Sequence, residues 1–197
     1  MLFLAFIHRY FMLKRQAIFS LFSLTLVVLL VVPNLVQHGM FMDGVQYACV
    51  SKNLAFGKGT FWLPYLSAAW EKEHVNYFLE HPPLTYFLQS IFFRFLGDTV
   101  FAEKFYCFVM VIICAILIRA IWRLLFEQDS VLKSYWWLAM LLWFITPSVF
   151  WSYSNNMIEN TVSAMVLAAS YFSLKIVYRP SFKILNLLLA ATFVLLD

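Results

Sequence analysis

Two acidic motifs in this chain are placed where they could do chemistry, each set against an apolar run. Met42-Asp43-Gly44-Val45-Gln46-Tyr47 follows one apolar segment, and Glu80-His81-Pro82-Pro83-Leu84 precedes another. Asp43 stands a few residues past the first apolar segment, where a carboxylate can accept a proton or bind a metal or cation. Its ordinary structural role there is an N-cap for a surface helix over 44–54, which would put Tyr47 one turn on, on the same face. The paired prolines fix φ and remove two donors, so the backbone at Glu80 and His81 is expected to be extended and stiff. His81 can donate a proton or, when charged, pair with a phosphate; the plainer alternative is a proline-led helix entry. A third acid, Glu159, opens another apolar run in Tyr153-Ser154-Asn155-Asn156-Met157-Ile158-Glu159-Asn160-Thr161. An ionisable group at the mouth of a span is either functional or compensates the helix dipole.

The loop between the motifs carries Trp62, Pro64, Tyr65, Trp70, Tyr77 and Phe78. Trp and Tyr form interfacial belts in any membrane protein, and the same rings can stack on a sugar. Gly57-Lys58-Gly59 is too short for a phosphate loop; Lys58 and Lys72 can meet a lipid phosphate, but exposed lysines usually meet only water. No Ser/His/Asp order, zinc spacing or nucleotide motif is present in the sequence.

The elements that must hold these residues are set by composition. The 197 residues are 63% hydrophobic, 20% aromatic and 12% charged, against about 45–50% apolar and about 25% charged in an average soluble domain. With a mean hydropathy of +0.81, the solvent for most of the chain is lipid, and the expected fold is an all-α integral membrane bundle. Cys49, Cys107 and Cys114 form no disulfide framework or ligand pair and read as small apolar side chains. The net charge of +4 is spread within reach of anionic headgroups rather than on one binding face, which argues against nucleic acid.

A spanning helix needs about 20 apolar residues. The segments 17–36, 101–121, 134–150 and 157–177 meet or approach that length, and a fifth begins near Ile184 and ends at Asp197. The first is too long for a cleavable signal's apolar region. Met1 to Tyr10 reads as a short interfacial helix or an anchor. The last run is short of a span, as in the N-terminal part of a longer membrane domain or a truncated product. The segment 84–96, with Gln89 and Arg94, is short as well, and sidedness decides its place. If it lies at the interface, nine of the fourteen basic residues (Arg9, Lys14, Arg15, Arg119, Arg123, Lys133, Lys175, Arg179, Lys183) face the cytoplasm. If it crosses, Arg119, Arg123 and Lys133 move to the wrong side. The expected topology therefore has a cytoplasmic N-terminus, a long extracytoplasmic loop over 37–100 with interfacial helices, and a tight outer turn near 151–156. Asp43, Glu80 and Glu159 then reach one outer surface of the plasma (inner) membrane.

The residues from the first span through Asp43-Gly44-Val45-Gln46-Tyr47-Ala48, then Lys52-Asn53-Leu54-Ala55-Phe56-Gly57-Lys58-Gly59, Glu80-His81-Pro82-Pro83-Leu84-Thr85-Tyr86 and Phe95-Leu96-Gly97 carry a resemblance. Over roughly residues 15 to 175 the chain resembles the polyprenyl-phosphate-sugar-dependent glycosyltransferases of the GT-C fold. Within that class it looks most like the protein mannosyltransferases and the aminoarabinose transferases of lipid A. The paired prolines and their spacing to Asp43 are the specific part. The resemblance implies that Asp43 is a base for the acceptor hydroxyl and that Glu159 matches the acid opening the fourth span. It implies that Glu80 and His81 sit near the donor phosphate, and that in some members a divalent metal sits there too, which would make Glu80 a ligand. Tyr47, Lys58 and Arg94 join the expected substrate-binding set. The implied partners are a polyprenyl-linked sugar donor and a lipid, glycan or protein acceptor. Two departures stand out: many relatives have a second acid where this chain has Gly44, and lipid A-modifying relatives usually have Lys where it has His81.

Two other classes compete. A transporter or flippase would tend to show repeats, broken helices and midplane ionisable groups, whereas these acids sit at span ends. A non-catalytic membrane subunit or truncated relic is the other.

Overall fold

The structure, a computed structural model, describes residues 2–37, 39–66, 77–178 and 183–195, with side chains from Lys14 onward. The expectations for Trp70, Lys72 and Arg179 fall outside these residues, as does that for the side chain of Arg9. The described residues are helical, with no β-strand among them: α1 Leu2–Val36, α2 Met42–Ala55, α3 Leu84–Leu96, α4 Val100–Leu125, a 3₁₀ turn Leu132–Tyr135, α5 Trp136–Ile145, α6 Pro147–Ser154, α7 Glu159–Tyr178 and α8 Lys183–Leu195.

The all-α membrane fold expected from composition is the one observed. Three described helices are long and apolar enough to cross a bilayer: 14–36 within α1, Val100–Leu125 and Glu159–Tyr178. The helix expected at 84–96 is α3, and it is too short to count among them. Two expectations change. The amino-terminal segment is not a separate short helix but runs straight into the first apolar segment as one 35-residue helix. The segment 134–150 is not one helix. It is divided at Thr146, whose ψ of 121° is extended because Pro147 follows and disfavours the helical basin for the residue before it. Pro147 then opens α6 in its first turn, where a missing N–H costs nothing. The turn expected at 151–156 is displaced accordingly, since α6 continues to Ser154.

α4 is the hub and packs on α1, α3, α5, α6 and α7. Its buried residues Glu103, Tyr106, Cys107, Met110, Val111, Cys114 and Ile118 recur at three- and four-residue spacing, the signature of one inward face. All but Glu103 join Val27 and Val31 of α1, Phe144 of α5 and Tyr153 of α6 in the main core. The opposite face exposes Phe101, Phe105, Ile112 and Ile116, as suits a helix solvated by acyl chains. Cys107 and Cys114 are buried in that core and Cys49 is half-buried, all three as free thiols. α8 lies along α7, with Phe193 stacked on Phe172 at 5.7 Å.

α2 and α3 pack side by side and run parallel. Tyr47 meets Tyr86 near their starts, with ring centroids 5.9 Å apart, and Ala55 clusters with Phe93 near their ends. All the sequence-predicted site residues lie on this pair of helices, on its flanking loops or on α7.

Candidate active site

Asp43 is held by what lies on either side of it. The N-cap of α2 is Phe41, in extended conformation and without a side-chain cap, so Asp43 is not the cap expected but stands in the first turn. A carboxylate there favours the positive helix end. The missing side-chain cap is replaced from a distance: the Phe41 N–H donates to Oδ1 of Asn155 at 2.8 Å. Gly44 is buried against the same segment, and a Cβ at this position would overlap the Asn155 carbonyl oxygen. The Gly44 carbonyl accepts from Nδ2 of Asn156 at 3.1 Å. The absent second acid thus has a physical reason, because position 44 is the contact point between α2 and the α6–α7 turn.

Glu80 and His81 are held by a stitched loop. Isolated bridges join Gly59 to Pro64 and Tyr65 to Tyr77, the Phe78 N–H donates to the Pro64 carbonyl at 2.8 Å, and Nδ2 of Asn53 ties the Tyr65 carbonyl to α2 at 3.0 Å. Phe78 is buried in a cluster with Tyr47, Val50, Tyr86 and Met157. Three residues later His81 lies edge-on to the Tyr47 ring at 5.7 Å, and its Nε2 is 3.3 Å from the Tyr47 hydroxyl. Pro83 is the N-cap of α3, so the prolines act both as a stiff approach and as a helix entry.

Glu159 opens α7 and is exposed. The two residues after it are anchored inward. Asn160 Oδ1 accepts from the Ser152 hydroxyl at 2.8 Å, its Nδ2 donates to the Ser152 carbonyl at 3.1 Å, and Thr161 shares a hydrogen bond with Tyr106 of α4. With its neighbours fixed, Glu159 is left on the outer rim.

These three approaches converge on Tyr47. Its pKa is pushed up from 10.0 to about 12, first by burial and then by the negative fields of Asp43, Glu159 and Glu80. The phenol therefore stays protonated, a donor within the fields of three carboxylates. Tyr86 is raised too, by burial first, then by Tyr47 and Glu80. The structure so brings together Asp43, Tyr47, Glu80, His81 and Glu159. Lys58 and Arg94 are elsewhere. Both are exposed, at the far ends of α2 and α3, about 15–18 Å along the helix axes at 1.5 Å per residue. Beside them lies the Lys52–Asp98 ion pair at 2.6 Å.

Residues that sequence reading passed over prove to be the framework. Asn156 has a φ of 56°, a left-handed conformation that Asn tolerates. Its Oδ1 accepts from Nε2 of Gln89 at 2.5 Å and from Sγ of Cys107 at 3.3 Å. One side chain thereby joins α2, α3 and α4. Lys104 turns its ammonium to the Ser154 carbonyl at 2.9 Å and to Gly39 at 3.4 Å. The signal was available: an amide in an apolar setting is costly unless paired, so Gln89, Asn156 and Asn160 each implied a partner. Among the described residues no group of three His, Cys, Asp or Glu side chains could hold a metal ion.

An apolar helical bundle whose acids gather with a tyrosine and a histidine at one end is a membrane protein with a polar site at its interface. A family model for dolichyl-phosphate-mannose-protein mannosyltransferases matches residues 80–195, more than half of the chain, and the chain belongs to that family. It is accordingly a membrane glycosyltransferase of GT-C type. The match begins at Glu80, so Asp43 and Tyr47 lie ahead of it and stand on geometry. Neither the comparison with curated proteins nor that with solved structures finds a match.

Proposed function

We propose that this protein moves a sugar from a polyprenyl-phosphate donor to a hydroxyl of a lipid, glycan or protein acceptor at the extracytoplasmic face of the plasma membrane, in one inverting displacement. The observation that supports the reading is His81 against the Tyr47 hydroxyl, within the negative fields of Asp43, Glu80 and Glu159. In this arrangement Asp43 takes the proton of the incoming hydroxyl. Glu159, across the rim, faces the oxocarbenium-like charge that develops on the sugar. His81 and the protonated Tyr47 supply hydrogen bonds to the departing phosphate as its charge grows, while Glu80 orients that pair. Lys58 and Arg94, one helix length away, meet headgroup phosphates at the surface rather than the reacting atoms. The N-terminus is cytoplasmic in this proposal, and the loop carrying both motifs is outside.

The decisive measurement is transfer of a polyprenyl-linked sugar by membranes containing the native protein or its Asp43→Asn variant. The amide keeps the size of the side chain but cannot take a proton, and a loss of about 10²–10⁴-fold is expected for a general base. Unchanged turnover would remove Asp43 from the mechanism, and a product that keeps the donor's anomeric configuration would exclude a single displacement.

A further inference from the structure

The end of the bundle remote from Asp43 carries a second built feature. α4 runs from Lys104, at the acidic end, to Arg123, about 28 Å away at 1.5 Å per residue, close to the roughly 30 Å of a hydrocarbon core. There two adjoining cavities, of about 230 and 260 Å³, share Arg123 and Lys133 as walls. Lys175 and Glu127 line the first, and Trp136 lines the second. The basic residues, scattered in sequence over α4, the α4–α5 connection and α7, are here drawn to one place.

The walls are fixed rather than loose. The Arg119 guanidinium lies over the Trp136 ring at 4.7 Å, and Lys175 lies over Tyr171 at 5.2 Å. The connection between α4 and α5 is pinned where Trp122 Nε1 donates to the Leu132 carbonyl at 2.8 Å. It is pinned again where Asp129 Oδ1 accepts from the Val131 and Leu132 N–H groups at 2.8 and 2.9 Å. Three cations against Glu127 leave the lining positive, at a depth where a phosphodiester headgroup of the adjoining leaflet resides. Basic pockets between membrane helices at such a surface recognise anionic headgroups.

We propose that Arg123, Lys133 and Lys175 form a binding site for the phosphate of an anionic lipid headgroup in the leaflet opposite the candidate active site. The test is native mass spectrometry of the detergent-solubilised chain with phosphatidylglycerol, phosphatidylcholine or inorganic phosphate. Phosphatidylglycerol should be retained about tenfold better than phosphatidylcholine, and Arg123→Gln/Lys133→Gln/Lys175→Gln should abolish that preference. The charge-preserving Arg123→Lys/Lys133→Arg/Lys175→Arg variant should keep it. So should Lys14→Gln/Arg15→Gln, which removes two exposed charges at the same end but outside the cavities. The proposal fails if the three Gln substitutions leave the preference intact. It fails equally if the Lys14/Arg15 pair matters as much, or if the charge-preserving variant loses binding. Displacement of the lipid by millimolar inorganic phosphate would overturn the lipid as the ligand.

Discussion

The two ends of the parallel α2–α3 pair are built differently. At one end Tyr47 and Tyr86 are buried at 5% and 0% exposure, Gly44 touches the backbone of Asn155, and Asn156 ties three helices together. At the other end Lys58 and Arg94 stand in solvent, and the Lys52–Asp98 pair is 39% and 61% exposed. Charge reaches solvent at both ends, since Glu80 and Glu159 are exposed and Asp43 and His81 half-buried, but only the first end sets its charges beside a buried phenol and a buried, hydrogen-bonded amide. A cluster of charges becomes a candidate site when it stands beside buried polar groups that a packed framework holds still. By that criterion the first end qualifies and the second does not.

The largest effect that would break this contrast comes from Gly44. Gly44→Ala drives a methyl into the Asn155 carbonyl, and overpacking at such a contact costs about 1–3 kcal/mol or more. Because Asp43 is the adjacent residue, sugar transfer should fall along with thermal stability in detergent. Gly97→Ala serves as the comparison. No atom lies within 4 Å of a Cβ built there, although its φ of 75° and ψ of −170°, a region nearly exclusive to glycine, still penalise a side chain, by about 1–3 kcal/mol. Its loss should appear in stability without a matching loss of transfer per folded molecule. If both variants lose transfer in proportion to stability, Gly44 is a generic packing position.

Asn156→Ala comes next. It leaves the Gly44 carbonyl and Nε2 of Gln89 buried without the partner they have now, at about 1–3 kcal/mol for an unsatisfied buried polar group. Chemical denaturation compared with the native protein measures this. A change within a few tenths of a kcal/mol would show that the amide is solvated and that the framework role is wrong.

Helices α2 and α3 were legible because their signals are local. A proline pair before an apolar segment marks a helix start, and Gly97 marks the stop, so the bounds of α3 follow from residue types alone. Asp43, Tyr47, Glu80, His81 and Glu159 stood out for a similar reason, as polar groups at the edges of apolar runs. The division of 134–150 was also written in the chain, in Thr146-Pro147, but apolar length overrode it. What could not be read was pairing. Nothing near Gly44 announces Asn156, 112 positions on. Nothing near Lys58 says that it ends a helix length from Asp43, since exposed and substrate-facing lysines look alike in sequence. Long-range partners of amides and the depth of each charge are properties of the assembled bundle.

Tyr47 sharpens the comparison with a smaller effect. Its folded pKa of about 12 lies above the ordinary 10.0, so the fold favours the neutral phenol. That contribution to stability is complete below pH 10 and is lost as pH rises through 12. Between these values the native protein should destabilise faster than Tyr47→Phe, which has no phenol to ionise. At neutral pH the same variant keeps the ring packed against Phe78 and Tyr86 and loses only the contact to His81, about 0.5–1.5 kcal/mol. Parallel pH–stability curves for the two proteins would mean that neither burial nor the three acids hold this hydroxyl neutral.

The smallest effect belongs to the far end. Asp98→Asn removes the partner of Lys52, a single exposed ion pair of a kind that contributes about 0.2–1 kcal/mol and is screened by salt. Lys58→Ala and Arg94→Ala remove exposed charges that pair with no ring or carboxylate among the described residues. All three should change sugar transfer by less than about threefold, and the Asp98→Asn difference should shrink as ionic strength rises and the Debye length falls below about 10 Å. A drop in transfer at Arg94→Ala as deep as that of Asp43→Asn would mean that substrate spans the whole length of α3. The buried framework around Tyr47 would then no longer separate the functional end of the pair from the other.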